Sequence, residues 1–214
     1  MKKKPLVYQK DTKPETLSGD ILYHYSFQPN KNIMLEKICV YCGSSLGASP
    51  IYTDAMRELG RTIARNGLTL VYGGSHAGQM GIIADEVLKN GGKVIGIMTE
   101  HLDAKGLSHE RITELHIVKD MQARKAEMIA RADAFIAAPG GIGTLEEYFE
   151  TLSGNQMGLH KKPIGLYNVG GYYDPLMAAF RSFEAQDFMR NTKTAELICE
   201  GNAQTLIDQL KARS

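Results

Sequence analysis

The sequence predicts an α/β protein built on a doubly wound parallel sheet with helices on both faces. Short apolar runs alternate with longer amphipathic stretches from residue 34 onward. The runs are apolar throughout rather than at every second position, as strands covered on both faces are. Glycines punctuate the joins. A chain of 214 residues that is 43% hydrophobic can bury the core of one such domain.

Taken in order, KICVYC reads as a buried strand ending in Gly43-Ser44-Ser45. Ile51 to Asn66 has helical spacing, with Ala55, Met56, Leu59, Ile63 and Ala64 on one face, and Gly67 closes it. LTLVY, 68–72, is the second strand and runs into GGSHAGQMG. Ile82 to Asn90 is the next helix, closed by Gly91-Gly92. KVIGIM, 93–98, is a third strand, followed by a polar loop over 99–113. ELHIVK, 114–119, is a short strand, and Gln122 to Ala132 a helix. ADAFIAA, 132–138, runs straight into PGGIGT, and Leu145 to Leu152 is helical. KPIGLYN is the sixth strand. Residues 174–187 and 202–212 form two amphipathic helices.

This organisation predicts a single domain over 34–214. Residues 1–33 are lysine-rich with no apolar core after them, so they read as an extension and not as a secretory signal. Right-handed crossovers bring the strand-to-helix loops to one edge, where ligands bind in such sheets. YCGSS, YGGSHAGQMG, DMQARK and PGGIGTLEE all fall on that edge.

Composition narrows the ligand. The chain has 25 basic and 24 acidic residues, a net charge of +1, and no basic excess of the kind that nucleic acid requires. No apolar run reaches membrane-span length. Cys39, Cys42 and Cys199 make an odd count, which fits a reducing, cytoplasmic setting. Cys39 and Cys42 form a CxxC, but no second pair completes a metal site, so both read as packing residues. A small molecule is the expected partner.

PGGIGTLEE, 139–147, carries the chemistry. It follows a strand and opens a helix, where glycines let backbone N–H groups approach an anion and the helix dipole favours it. A plain turn with a Thr144-to-Glu147 capping box is the competing explanation. No P-loop lysine and no dinucleotide fingerprint is present. Thr144 and Glu147 are three apart and share a face, so Glu147 reaches one turn beyond the anion. Arg124 and Lys125 begin the preceding helix, where two cations oppose the dipole; anion binding or pairing with Glu147 accounts for them. Gly43 and Ser44 offer donors from the first loop. A phosphate in the cradle would leave a carboxylate beside a sugar, as glycosidic-bond cleavage requires.

The run ARKAEMIARADAFIAAPGGIGTLEE resembles the Lonely Guy family of cytokinin riboside 5′-monophosphate phosphoribohydrolases, often mislabelled as lysine decarboxylases. The RK pair and the PGGxGTxxE motif carry the likeness, together with KICVYCGSSLG, VYGGSHAGQMG and NQMGLHKKPIGLYNVGGYYDPL. It spans about 34–214. The resemblance implies a Rossmann-like fold, a homodimer or larger oligomer, and no metal or redox cofactor. It implies hydrolysis of an N6-substituted adenosine 5′-monophosphate to free base and ribose 5-phosphate. By motif position Arg124 and Glu147 would be catalytic. Lys125, Gly140, Gly141, Ile142, Gly143, Thr144, Leu145 and Glu146 would bind the nucleotide. Ser75, Gly106 and Ser153-Gly154 depart from the family pattern, and the last two departures bear on base preference. A molybdenum-cofactor carrier is the alternative; it would need the cradle but not Glu147.

Overall fold

In the computed structural model, which describes residues 35–189 and 194–214, the chain alternates strand and helix. The order is β1 (Lys37–Tyr41), α1 (Pro50–Arg65), β2 (Thr69–Tyr72), α2 (Gly78–Lys89), β3 (Lys93–Thr99), α3 (Glu100–Asp103), β4 (Glu114–Val118), α4 (Met121–Arg131), β5 (Ala134–Ala137), α5 (Ile142–Gln156), β6 (Ile164–Tyr167), α6 (Asp174–Ala185), β7 (Ile198–Glu200) and α7 (Ala203–Lys211). The extension predicted at 1–33 lies outside the described residues.

The strands form one sheet in the order β4-β3-β2-β1-β5-β6-β7, with every pairing parallel. The chain winds outward from β1 to β4, then returns to the other side of β1 and winds the opposite way. The predicted doubly wound, Rossmann-like sheet is therefore present. Its reversal point lies between β1 and β5, which pair from Ile38↔Ala134 to Tyr41↔Ala137. A crevice opens there beyond the strand ends.

Alternation along β1 builds two cores. Ile38 and Val40 join Met56, Leu59 and Ile63 of α1, Ile83 and Val87 of α2, and Leu206 and Leu210 of α7. Cys39 and Tyr41 face the other way, toward Met128 of α4, Tyr148 of α5 and Phe180 of α6. Met56, Leu59 and Ile63 are fully buried, each contributing about 1.5–3 kcal/mol relative to exposure. The two CxxC thiols thus belong to opposite faces of the sheet. Burial pushes both well above the ordinary thiol range, so they are neutral packing groups, as expected.

Two helix starts and two short elements stand out against expectation. α2 starts at Gly78 rather than Ile82, because Gly78 is packed on the Ser44 backbone and the chain turns helical at once. The polar loop 99–113 contains α3, whose first turn is capped by the Thr99 hydroxyl. β7 was not anticipated; three residues ending in a glutamate show no periodicity. α5 begins at Ile142 with Gly141 at its cap. Thr144 therefore sits inside the first turn, and the Thr144-to-Glu147 capping box does not form.

Candidate active site

At the reversal point the loop after β1 meets the loop after β5. The Gly43 amide donates to the Pro139 carbonyl at 3.2 Å, and the Gln79 amide of α2 donates to Gly43 at 3.2 Å. Gly140 lies between them. A methyl group there would stand 2.2 Å from Thr144 Oγ1 and 2.9 Å from the Gly43 nitrogen, so only glycine admits this approach. Two adjacent tyrosines pin the turn from outside. Tyr172 donates to the Gly140 carbonyl at 2.5 Å and Tyr173 to the Ala138 carbonyl at 2.7 Å.

Beyond this turn α5 begins without a side-chain cap and without an acid in its first turn. Its leading amides are unopposed and carry the partial positive charge of the helix end. They border a cavity of about 260 Å³. Gly43 and Ser44 after β1, Gly141 to Thr144 at the start of α5, and Arg124 and Glu147 all line it. Gly73, Met80 and Met128 complete the lining with the end of β1 and Cys42.

Arg124 is anchored by two backbone carbonyls. α4 is capped by Asp120, whose carboxylate accepts from the Ala123 amide at 2.8 Å. One turn on, Arg124 is buried and crosses the strand ends. Its Nε donates to the Ile97 carbonyl at 2.9 Å and its Nη2 to the Gly73 carbonyl at 2.8 Å. Nη1 contacts the Met121 sulfur at 3.3 Å and is left facing the cavity. The fit depends on Gly73, where a methyl group would meet Nη2 at 1.9 Å.

Glu147 lies opposite. Its carboxylate is 3.8 Å from Arg124 Nη1, and its side chain is 14% exposed. Burial pushes its pKa up to about 7, with Glu146 and Glu150 adding to the rise; Arg124 and Lys125 pull it down without reversing the outcome. A carboxyl divided between its two forms at neutral pH suits proton transfer.

Eight sequence-predicted site residues meet here: Gly43, Ser44, Arg124, Gly141, Ile142, Gly143, Thr144 and Glu147. Four do not line the cavity. Gly140 supports the turn by backbone packing. Leu145 packs against the core. Lys125 and Glu146 bond to each other outside the cavity. Ser75, Gly106, Ser153 and Gly154 do not line it either. Gly73 and Met80 belong to YGGSHAGQMG, which the sequence placed on this edge without singling them out, and Met128 was missed. Met128 stands four positions from Arg124, one helical turn along the same face, and that spacing was the available signal. Met121 rests on Arg124 and does not line the cavity. Among the described residues, no group of three His, Cys, Asp or Glu side chains could hold a metal ion, and no helix is long and apolar enough to cross a membrane.

Comparison with known proteins adds four findings. Residues 80–210 match the model of a family described as possible lysine decarboxylase. A probable cytokinin riboside 5′-monophosphate phosphoribohydrolase of Oryza sativa subsp. japonica is 46% identical over 154 residues, 72% of this chain and 69% of that protein. A cytokinin riboside 5′-monophosphate phosphoribohydrolase of Arabidopsis thaliana is 40% identical over 82% of this chain and 81% of its own length. Among solved structures, a molybdenum cofactor binding protein of Rippkaea orientalis superposes with a TM-score of 0.64 at 22% identity, covering 84% of this chain and 98% of that one. At that identity the likeness concerns the fold alone.

Proposed function

This chain belongs to the family described as possible lysine decarboxylase, with the phosphoribohydrolases named above among its relatives, and we propose that it is a hydrolase of their kind. It cleaves the N-glycosidic bond of an adenosine-type 5′-monophosphate, giving free base and ribose 5-phosphate. Arg124 and Glu147 carry the reaction. The single observation that supports this most is Glu147 itself: pushed up to about 7, it lies 3.8 Å from an immobilised arginine, one turn inside a helix whose N-terminus can hold a phosphate.

The geometry sets the roles. The phosphate sits against the amides of Ile142, Gly143 and Thr144, with Gly43 and Ser44 closing over it. The ribose then lies over the next turn of α5, with C1′ toward Glu147. Bond cleavage develops positive charge on the sugar, which the ionised carboxylate stabilises. Water oxygen bonds to C1′ as the C1′–N bond breaks; Glu147 takes the water's proton and passes it on to the departing base, which restores the carboxylate, so the net reaction is the addition of water. Arg124 keeps part of the Glu147 population ionised and presents Nη1 to the sugar-phosphate. Gly140, Leu145, Glu146 and Lys125 act behind this surface.

Decarboxylation through a lysine adduct finds no support, since no lysine lines the cavity among the described residues. A carrier role would leave Glu147, and its pairing with Arg124, without a purpose. The reading includes a cytoplasmic setting, supported by three unpaired cysteines, two of them buried. It also includes a homodimer or larger assembly. Phe149, Met157, Leu159 and Phe183 stand exposed on and after α5 and on α6, and sedimentation of the full chain measures whether such a surface associates.

The deciding assay incubates the protein with AMP and with N6-isopentenyl-AMP, using the nucleosides as controls. Release of base and ribose 5-phosphate from the monophosphates, with nucleosides cleaved far more slowly, is expected. Equal cleavage of nucleosides would remove the phosphate cradle from the account, and no cleavage of either monophosphate would sink it.

A further inference from the structure

Lys125 follows Arg124 on α4, and consecutive helical residues diverge by about 100°. Arg124 turns into the cavity; Lys125 turns to α5. There its ammonium donates to Glu146 and lies 2.9 Å from Glu150 Oε2. Its side chain is 13% exposed, while the two carboxylates are 52% and 40% exposed. Glu146 and Glu150 are four apart on one helix face, where like charges repel unless a cation separates them. Glu147 sits beside that face, turned toward Arg124.

We propose that Lys125 is a positioning residue: by holding Glu146 and Glu150 at once it fixes the turn of α5 that presents Glu147 to Arg124, and it does not contact the substrate. The proposal rests on the hydrolytic reading of Glu147. It assigns the arginine-lysine pair two separate tasks on two sides of one helix, the first at the ligand and the second behind the acid.

The groups facing Glu147 are few. Arg124 and Lys125 come from α4, and Glu146 and Glu150 from its own helix. Cys39, Tyr41 and Cys42 come from β1 and the residue after it, all held neutral by burial. Among the described residues, Lys125 joins Arg124 in drawing Glu147 toward its ionised form, and the two acids that oppose it are the ones Lys125 binds. Loss of Lys125 removes a positive charge and leaves two carboxylates uncompensated. Glu147 then ionises at higher pH.

Three full-length variants test this: Lys125→Gln, Lys125→Arg, and Lys125→Gln combined with Glu146→Gln and Glu150→Gln. Two quantities are read, kcat and KM for AMP across pH, and the titration of the Glu147 carboxyl by carbon NMR without ligand. Lys125→Gln should raise the acid limb of kcat and the titration midpoint by roughly half a pH unit or more. KM should change by less than about twofold. Lys125→Arg should keep both near wild type. The triple variant should bring the midpoint back, because the acids are gone along with the lysine.

The opposite pattern overturns the proposal. That pattern is a KM for AMP raised about tenfold or more, an unmoved acid limb and titration, and no recovery in the triple variant; Lys125 would then be a phosphate ligand. Should Lys125→Gln fail to fold, the triple variant decides: a wild-type titration supports the proposal and a raised KM overturns it. If the wild type hydrolyses no nucleotide, the proposed reaction falls separately. The Glu147 midpoint in Lys125→Gln still decides this inference, supporting it if raised and overturning it if unchanged.

Discussion

Nη1 of Arg124 stands 3.8 Å from Oε1 of Glu147, charge facing charge with no hydrogen bond between them. The two come from helices on the same face of the sheet. Arg124 is tied to two strand-end carbonyls, so its position does not depend on the acid. The gap leaves each group a free valence for a ligand.

The first prediction concerns pH and rate. If ionised Glu147 acts on water, kcat should rise with pH through a midpoint near 7, the value to which burial pushes this carboxyl. Glu147→Gln should abolish that limb and lower kcat by roughly 10² to 10⁴ with KM little changed. A rate profile with its midpoint near 4.5 in wild type would count against the role.

Stability should move the other way. A carboxyl with a folded pKa above its unfolded value binds more protons when folded, so its contribution falls as pH rises. The window here runs from 4.5 to about 7. Above it, ionising Glu147 in the folded protein costs roughly 3 kcal/mol at most. Thermal melting of wild type and Glu147→Gln should therefore diverge across that window, with the variant gaining on wild type as pH increases.

Gly73→Ala should damage activity more than folding. The added methyl meets the movable end of Arg124 and not a rigid backbone atom. The guanidinium must leave the Gly73 carbonyl, and kcat should fall about as far as in Arg124→Ala. A melting temperature near wild type, measured alongside, distinguishes this from general disruption.

Gly140→Ala should behave differently. Its methyl would meet Thr144 and the Gly43 backbone, which cannot both retreat. The two anion-facing loops are pushed apart, so KM for the monophosphate should rise by about tenfold or more. Tyr172→Phe, which removes a single support from the same turn, should raise KM by only about two- to fivefold. An equal effect of both variants would show that the turn is not held as described.

The sequence carried the site unevenly. Thr144 and Glu147 share one helix, so their three-residue spacing already placed the acid beyond the anion. Arg124 was legible because two cations at a helix start have no local reason to be there. The pairing of Lys125 was not legible: its partners, Glu146 and Glu150, lie on another helix, and nothing local predicts that contact. The segment holding Gly73 and Met80 was placed on the right edge by the strand-helix alternation, but which of its side chains face the cavity depends on packing that the chain does not spell out. The early start of α2 at Gly78 is set by its packing on Ser44, a contact made across the fold.

β1 pairs with β2 on one side and with β5 on the other. The first pairing is close in the chain; the second joins segments such as Lys37 and Asp133, which are 96 residues apart. Residues 37–118 can lay down their four strands before β5 arrives. Every residue of the cradle on α5 comes after that point. The crevice therefore has no precursor in half of the sheet, and closure of this long loop creates it in one step. Return of hydrolysis during refolding is thus a clock for the β1–β5 docking event, and it should lag behind signals that report the first four strands.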